Sequence, residues 1–362
     1  MDSRLLLLTG RGHAEASSSR REIAEEALAE RNRARLGGRP LPAYGSVAEY
    51  AAALAPRTAC MTLLAGSGSR WATSLAAAAA RGEASGPEAD PARPRGLYPV
   101  RDFLRGGARI PIAAYALAAV DGIGCHLIVV RGWEAEIDAE ILAPLGITER
   151  RYFTQDAPHG KPLGHGDAAW QCRELWRGAD YVVTNFGGDA NSRRTILSSL
   201  LVLDALRAMG EDVGLIVPAA PFDSPAYPIG LDAEGLPRSF GHAKLQGSFP
   251  VGGPVGAPGG SPPGKGYANV GVRVYSAPAL LEQVQSFRER CWVEGEGYAI
   301  PGNDPAGHEF ALDNVDAELA RQGRARMLAI ARPEELTPAK SLGEIPAFEA
   351  AARSVVVEDI SP

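Results

Sequence analysis

Apolar and polar positions along the chain fall into two textures. From about residue 14 to 55 the texture is helical. "SRREIAEEALAERNRARL" mixes helix formers with charges dispersed among apolar positions. "GGRPLPAYGS" breaks it, and Ser46 is placed to cap a second helix, "VAEYAAALA". From Thr58 onward, short apolar runs alternate with helix-like stretches. "TACMTLLAG", "HLIVVRG", "YVVTNFGGD", "DVGLIVPAA" and "YANVGVRVYSA" read as strands, and "WATSLAAAAARG", "IPIAAYALAAVDG" and "SRRTILSSLLVLDALRAMG" as helices between them. Strands interleaved with helices predict an α/β fold with a mainly parallel sheet covered on both faces. The leading "MDSRLLLLTG" reads as a short buried strand, its apolar run too brief for a leader or a membrane span. "RGEASGPEADPARPRG" and "FPVGGPVGAPGGSPPGKG" are too rich in Gly and Pro for regular structure and read as loops.

This change of texture divides the chain into a helical N-terminal extension over residues 1–56 and an α/β domain over 57–355. The extension either covers the sheet or supplies a homo-oligomer contact. A net charge of −6 over 362 residues argues against nucleic acid as a partner, while leaving room for a small anion held by local arginines. The four cysteines, Cys60, Cys125, Cys172 and Cys291, form no C-x-x-C pair and no zinc spacing with the histidines. They are expected to be reduced, mostly buried thiols of a cytoplasmic protein.

The densest chemistry begins at "LLAGSGSRW", Leu63 to Trp71. As a dinucleotide fingerprint it fails, because Trp71 stands where the third glycine belongs. As a P-loop it lacks the closing Gly-Lys-Ser/Thr. A plain strand-to-helix turn remains open, as does a turn whose backbone N–H groups meet an anion. "YVVTNFGGDANS" puts Asp189 just past an apolar strand, where open parallel sheets bind ligands. There it either holds a divalent cation or caps the next helix. Asn185 and Asn191 beside it read as turn-structuring residues.

Taken in order, several segments resemble the sugar nucleotidyltransferases, the nucleoside-diphosphate-sugar pyrophosphorylases. "LLAGSGSR" with "RPRGLYPV" resembles the family's L-x-x-G-x-G-x-R … P-(K/R)-x-L-x-P-V signature. That resemblance makes Leu64, Ala65, Gly66, Ser67, Gly68 and Ser69 a triphosphate-wrapping loop. It makes Arg70 the cation that offsets charge on departing pyrophosphate, with Arg95 where the family usually carries lysine. "FTQDAPHGKPLGHGDAAW" resembles Q-x-x-P-x-G-(T/H)-G-D-A and implies that Gln155 reads the base edge while Gly164, His165, Gly166 and Asp167 border base and ribose. His159, in the same stretch, reads as solvent-facing. Asp189 takes the family's magnesium-binding position. "SPAYPIGLDAEGLPRSF" resembles its D-x-E-G-x-P hairpin.

"YANVGVRVYSA" resembles N-x-G-x-(Y/V)-x-F, which makes Asn269 and Gly271 sugar contacts; a buried asparagine bonded to backbone is the other reading. "GHEFALDNV" and "EELTPAKS" resemble the UDP-sugar pyrophosphorylase branch. They imply Lys340 as a phosphate contact and Glu309 and Asp313 at the sugar, against a surface lysine and a capping aspartate. The resemblance spans about Thr58 to Ala350. It implies a three-layer nucleotidyltransferase fold, glycosyltransferase-A-like with a Rossmann-like, mainly parallel mixed sheet. It also implies a Mg2+-dependent enzyme joining a nucleoside triphosphate, UTP by the P-x-K likeness, to a sugar 1-phosphate. Two rivals are a nucleotide-sugar-dependent glycosyltransferase, which usually carries an Asp-x-Asp motif where this chain reads "GGDAN", and a non-catalytic nucleotide-binding regulator.

Overall fold

The computed structural model describes residues 20–36, 38–66, 68–82, 90, 92–157, 162–223, 229–232, 235–240, 265–301 and 308–360. In chain order the principal elements begin with α1 (Arg20–Arg33), α2 (Val47–Leu54), β1 (Thr58–Leu63), α3 (Ser69–Ala80), α4 (Ala113–Val120), β2 (Cys125–Val130) and β3 (Arg150–Thr154). They continue with α5 (His165–Gln171), β4 (Tyr181–Phe186), α6 (Arg193–Ala208), β5 (Leu215–Asp223), β6 (Lys265–Asn269) and β7 (Arg273–Ser276). The last are α7 (Ala277–Cys291), α8 (Leu312–Arg321), β8 (Ala325–Leu328) and α9 (Ile345–Ile360).

β4, β1, β2 and β3 run parallel in that order. β7 lies antiparallel between β4 and β5, β6 pairs antiparallel with the outer half of β5, and β8 joins β5 in parallel. The result is a mainly parallel mixed sheet, as the interleaved texture predicted. Strand alternation sorts side chains onto two faces. Met61 of β1 packs with α5, α7 and α8, whereas Cys60 packs with α1, α2 and α6. Helix, sheet and helix therefore form three layers.

The N-terminal helices cover the sheet. α1 buries Ile23, Ala24 and Ala27, and α2 buries Tyr50 and Leu54, all in the same apolar cluster as α6. Ser46 caps α2 through the Glu49 N–H, as its position predicted. Two strands carried too little apolar signal to be read: β3, "RRYFT", lies half exposed at the sheet edge, and β8 is four residues long. The single strand expected over "YANVGVRVYSA" is broken into β6 and β7, because Gly271 adopts φ +83. Ile229–Leu231 pairs with Pro237–Phe240 as the expected hairpin. Cys60, Cys172 and Cys291 are buried and Cys125 is exposed, all four free. The leading apolar run, the hairpin tip, most of the two expected loops, Ser67 and His159 lie outside the described residues.

Candidate functional site

β1 sits where the chain changes direction across the sheet. β2 and β3 follow on one side of it and β4 lies on the other, so the crevice at the carboxyl ends of β1 and β4 is the topological switch point. Backbone bonds hold its rim: Leu64 N–H donates to Val129 O at 2.8 Å and Gly187 N–H to Leu63 O at 3.1 Å. The turn after β1 enters α3 through Gly68, whose left-handed φ of +59 favours glycine. Deeper down, Asn185 ties the strands together. It accepts from Thr62 Oγ1 at 2.8 Å and donates to Ala116 O at 2.8 Å, which makes it structural.

Three adjoining cavities occupy the crevice, and two of them gather the residues picked out in the sequence. The first, of about 310 Å³, is lined by Leu64, Ala65, Gly66, Gly68, Gln155, Gly164 and Glu309 among others. The second, of about 260 Å³, is lined by Asp189, Asn269, Gly271, Arg273 and Asp313 among others. Arg70, Arg95, His165, Phe186 and Lys340 line both. Most of the residues picked out in the sequence, separated by up to some 270 positions, thus border one continuous space.

Some sit elsewhere. Asp167 is buried and lines neither cavity; its carboxylate accepts from Tyr298 Oη at 2.9 Å and Gln171 Nε2 at 2.6 Å. Gly166 is off the cavities as well, and a Cβ there would press on the Phe310 ring. Both belong to the packing of α5. Ser69 opens α3. Asn191 donates to Val270 O at 2.8 Å and steadies the turn between β6 and β7.

The polar groups differ in how far they are satisfied. Arg70 and Arg95 make no hydrogen bond or ion pair to the described residues. Burial pulls the Arg95 guanidinium below its ordinary value, Asp189 opposes that, and the charge on Arg70 adds to it. Asp189 accepts no hydrogen bond from the described residues, and burial pushes its carboxyl up to about 6 against the pull of Arg95, Lys340 and Arg273. Gly271 leaves room for that carboxylate: a Cβ there would collide with Asp189 Oδ2.

Gln155 Nε2 donates to Gly164 O at 3.0 Å, which fixes the amide and leaves Oε1 as an acceptor. Leu312 N–H donates to His165 Nδ1 at 2.8 Å, so the ring proton sits on Nε2, 3.5 Å from Asp313 Oδ2. Asn269 Oδ1 accepts from Gly271 N–H at 2.8 Å.

Arg273 is one cavity residue that sequence reasoning missed, with Phe186 and Glu335. It is buried on β7, donating to Asp316 Oδ2 at 2.6 Å and Asp313 Oδ1 at 3.0 Å, while Nη1 has no partner among the described residues. The available signal was an arginine inside the otherwise apolar "VGVRVY".

Among the described residues no group of three or more His, Cys, Asp or Glu side chains could hold a metal by themselves. That arrangement still suits magnesium, which is usually held by one or two carboxylates together with substrate phosphates and water. Asp189 is such a carboxylate, its oxygens bonded to no described residue and a space kept for them by Gly271. No helix of the described residues is long and apolar enough to cross a membrane.

No protein-family model and no curated protein matches the sequence. Among solved structures, one described as a glucose-1-phosphate thymidylyltransferase from Bacillus anthracis, in complex with a sucrose, is similar with a TM-score of 0.51. It is 14% identical, and the match covers 82% of this chain and 95% of that chain. At that identity the likeness establishes a shared fold, the three-layer α/β architecture described above.

Proposed function

We propose that the protein is a sugar-1-phosphate nucleotidyltransferase, joining a nucleoside triphosphate to a sugar 1-phosphate with release of pyrophosphate. One observation carries the reading: Arg70 and Arg95, which make no hydrogen bond or ion pair to the described residues, share a crevice with a carboxylate that accepts no hydrogen bond from them. Charged groups of both signs left without hydrogen-bond partners among the described residues suit a polyanion together with its cation. The fold shared with the thymidylyltransferase supports the same reading.

In this mechanism the first cavity takes the nucleotide. Gln155 Oε1, held as an acceptor, suits the imide N–H of uracil or thymine and disfavours the acceptor edge of cytosine. UTP is the expected substrate, in keeping with Lys340 in "TPAKS". The second cavity takes the sugar phosphate, with Asn269 and Asp313 near its hydroxyls; Glu309, expected at the sugar, lines the first cavity instead. An oxygen of the sugar phosphate attacks the α-phosphorus, and the bond from that phosphorus to the bridging oxygen of the β-phosphate breaks.

Arg70, Arg95 and the backbone N–H groups of the turn neutralise charge gathering on pyrophosphate, and Lys340 does so at the α-phosphate. Magnesium held at Asp189 would add Lewis-acid neutralisation of the phosphate oxygens. Holding both reactants in line is the larger part of the work.

A panel of nucleoside triphosphates against sugar 1-phosphates, with magnesium and pyrophosphate release as the readout, tests this. UTP or its thymidine analogue should support turnover with at least one sugar. Tight nucleotide binding without turnover across the panel would reject the enzyme. Sugar transfer from a nucleotide sugar to an acceptor would reassign it as a glycosyltransferase.

A further inference from the structure

One wall of the second cavity is built by the segment from Glu335 to Lys340, which contributes Glu335, Leu336, Pro338 and Lys340. Two anchors hold it. At one end Glu335, whose side chain is fully buried, accepts four bonds. Arg20 Nη2 and Thr195 Oγ1 donate to its Oε1, both at 3.0 Å. Arg332 N–H donates to the same oxygen at 3.1 Å and Ser192 N–H to Oε2 at 3.0 Å. At the other end Ala339 N–H donates to Gly188 O at 3.0 Å, next to Asp189.

Of the four donors to Glu335, three are neutral and Arg20 alone brings charge. Arg20 also donates through Nε to Ile330 O at 3.0 Å, so a single guanidinium holds both the carboxylate and the chain leading into it. Burial pushes the Glu335 carboxyl above the usual range, and Arg20 opposes that. A buried carboxylate stripped of the one charged donor it has among the described residues must take up a proton, move, or admit water. Each of these shifts the segment that ends in Lys340.

We propose that Arg20 is a positioning residue. Acting through Glu335, it fixes the cavity wall that presents Lys340, which makes the N-terminal helix a working part of the site as well as a cover for the sheet. The role assigned to Lys340 rests on the nucleotidyltransferase reading; the mechanical link does not. α1 supplies its own control. Arg31, near the far end of the same helix, forms a comparably buried ion pair with Asp204 at 3.0 Å, and neither residue lines the cavities.

The test compares Arg20→Met with Arg31→Met in the full chain. Hydrogen exchange is read at the amides of 336–342 without ligand, under conditions where both variants are folded. Loss of the anchor should speed exchange at Ala339 roughly tenfold in Arg20→Met and leave it near wild type in Arg31→Met. Equal exchange in the two variants, or no change in Arg20→Met, overturns the proposal. If Arg20→Met does not fold, Glu335→Gln keeps the shape, removes the carboxylate, and should show the same local acceleration; unchanged exchange there also overturns it.

A kinetic arm follows if the wild type turns over. Arg20→Met should lower kcat by roughly tenfold with KM for the nucleotide little changed, and the loss should vanish in a Lys340→Ala background. Fully additive losses overturn the proposal. A wild type without turnover would refute the assigned reaction and leave the exchange result to decide the link.

Discussion

Asp204 and Asp189 are acidic side chains drawn into the same molecule on opposite terms. Asp204, on α6, is surrounded by donors: Tyr50 Oη and Tyr181 Oη, each at 2.6 Å, and Arg31 Nε at 3.0 Å. Asp189, past the end of β4, accepts no bond from any described residue, although three cations stand near it. The first arrangement engages both carboxylate oxygens in holding α1, α2, β4 and α6 together. The second holds charge in reserve at a cost to the fold. Buried polar groups in native proteins are normally paired, and exceptions call for an explanation such as an absent ion or a catalytic role.

The comparison can be broken most sharply at Asp204. Asp204→Asn leaves Arg31 buried without its counter-charge and should cost about 3–5 kcal/mol of stability. Denaturant unfolding would measure that, while kcat of the folded protein stays close to wild type. A collapse of kcat in that variant would show that the two regions are not separable.

Next in size is Arg70→Ala. Its guanidinium bonds to no described residue, so unfolding should change by less than about 0.5 kcal/mol. Turnover should fall by roughly 10²–10³, read as pyrophosphate release, with sugar-phosphate binding nearly intact.

Asp189→Asn sharpens the contrast because the sign reverses. Its folded value near 6 lies above the ordinary 3.8, so at neutral pH ionised Asp189 weakens the fold. The amide should therefore raise stability, by on the order of 1–3 kcal/mol, while abolishing dependence on magnesium. A lower melting temperature would mean that Asp189 is a structural partner after all.

The mildest test uses pH. Below 6 a proton competes with the cation for Asp189, so apparent magnesium affinity should fall about tenfold per unit of pH. Over the same window, between about 6 and 4, the folded state binds the extra proton, and this group's contribution to stability should rise as the pH falls. Calorimetry with and without magnesium would separate the two trends.

What was legible in the sequence was what is local. A turn for anions needs its glycines and its arginine within a few residues, so Gly66, Gly68 and Arg70 stood out together. Asp189 was legible because a strand end announces its own position. Arg273 was not, because its place beside Asp189 follows from the antiparallel return of β7 onto β4, a pairing between residues some 90 positions apart. Asp167 misled for a related reason. It shares a glycine-rich run with His165, but the inward face of α5 turns it toward Tyr298, which no local pattern reveals. β3 escaped because an exposed edge strand can be polar, and its "RRYFT" carries little apolar alternation.

The segment that ends in Lys340 has a consequence for how the protein comes into being. Because the crevice draws on the turn after β1 and on residues more than 270 positions later, a chain emerging from the ribosome can assemble β1 to β4 long before its cavity is complete. Translation stalled before Glu335 would yield a nascent domain that already displays the glycine turn and Asp189 yet lacks the wall bearing Lys340. Competence to grip a polyanion on both sides would then arrive only once the chain has grown past Lys340.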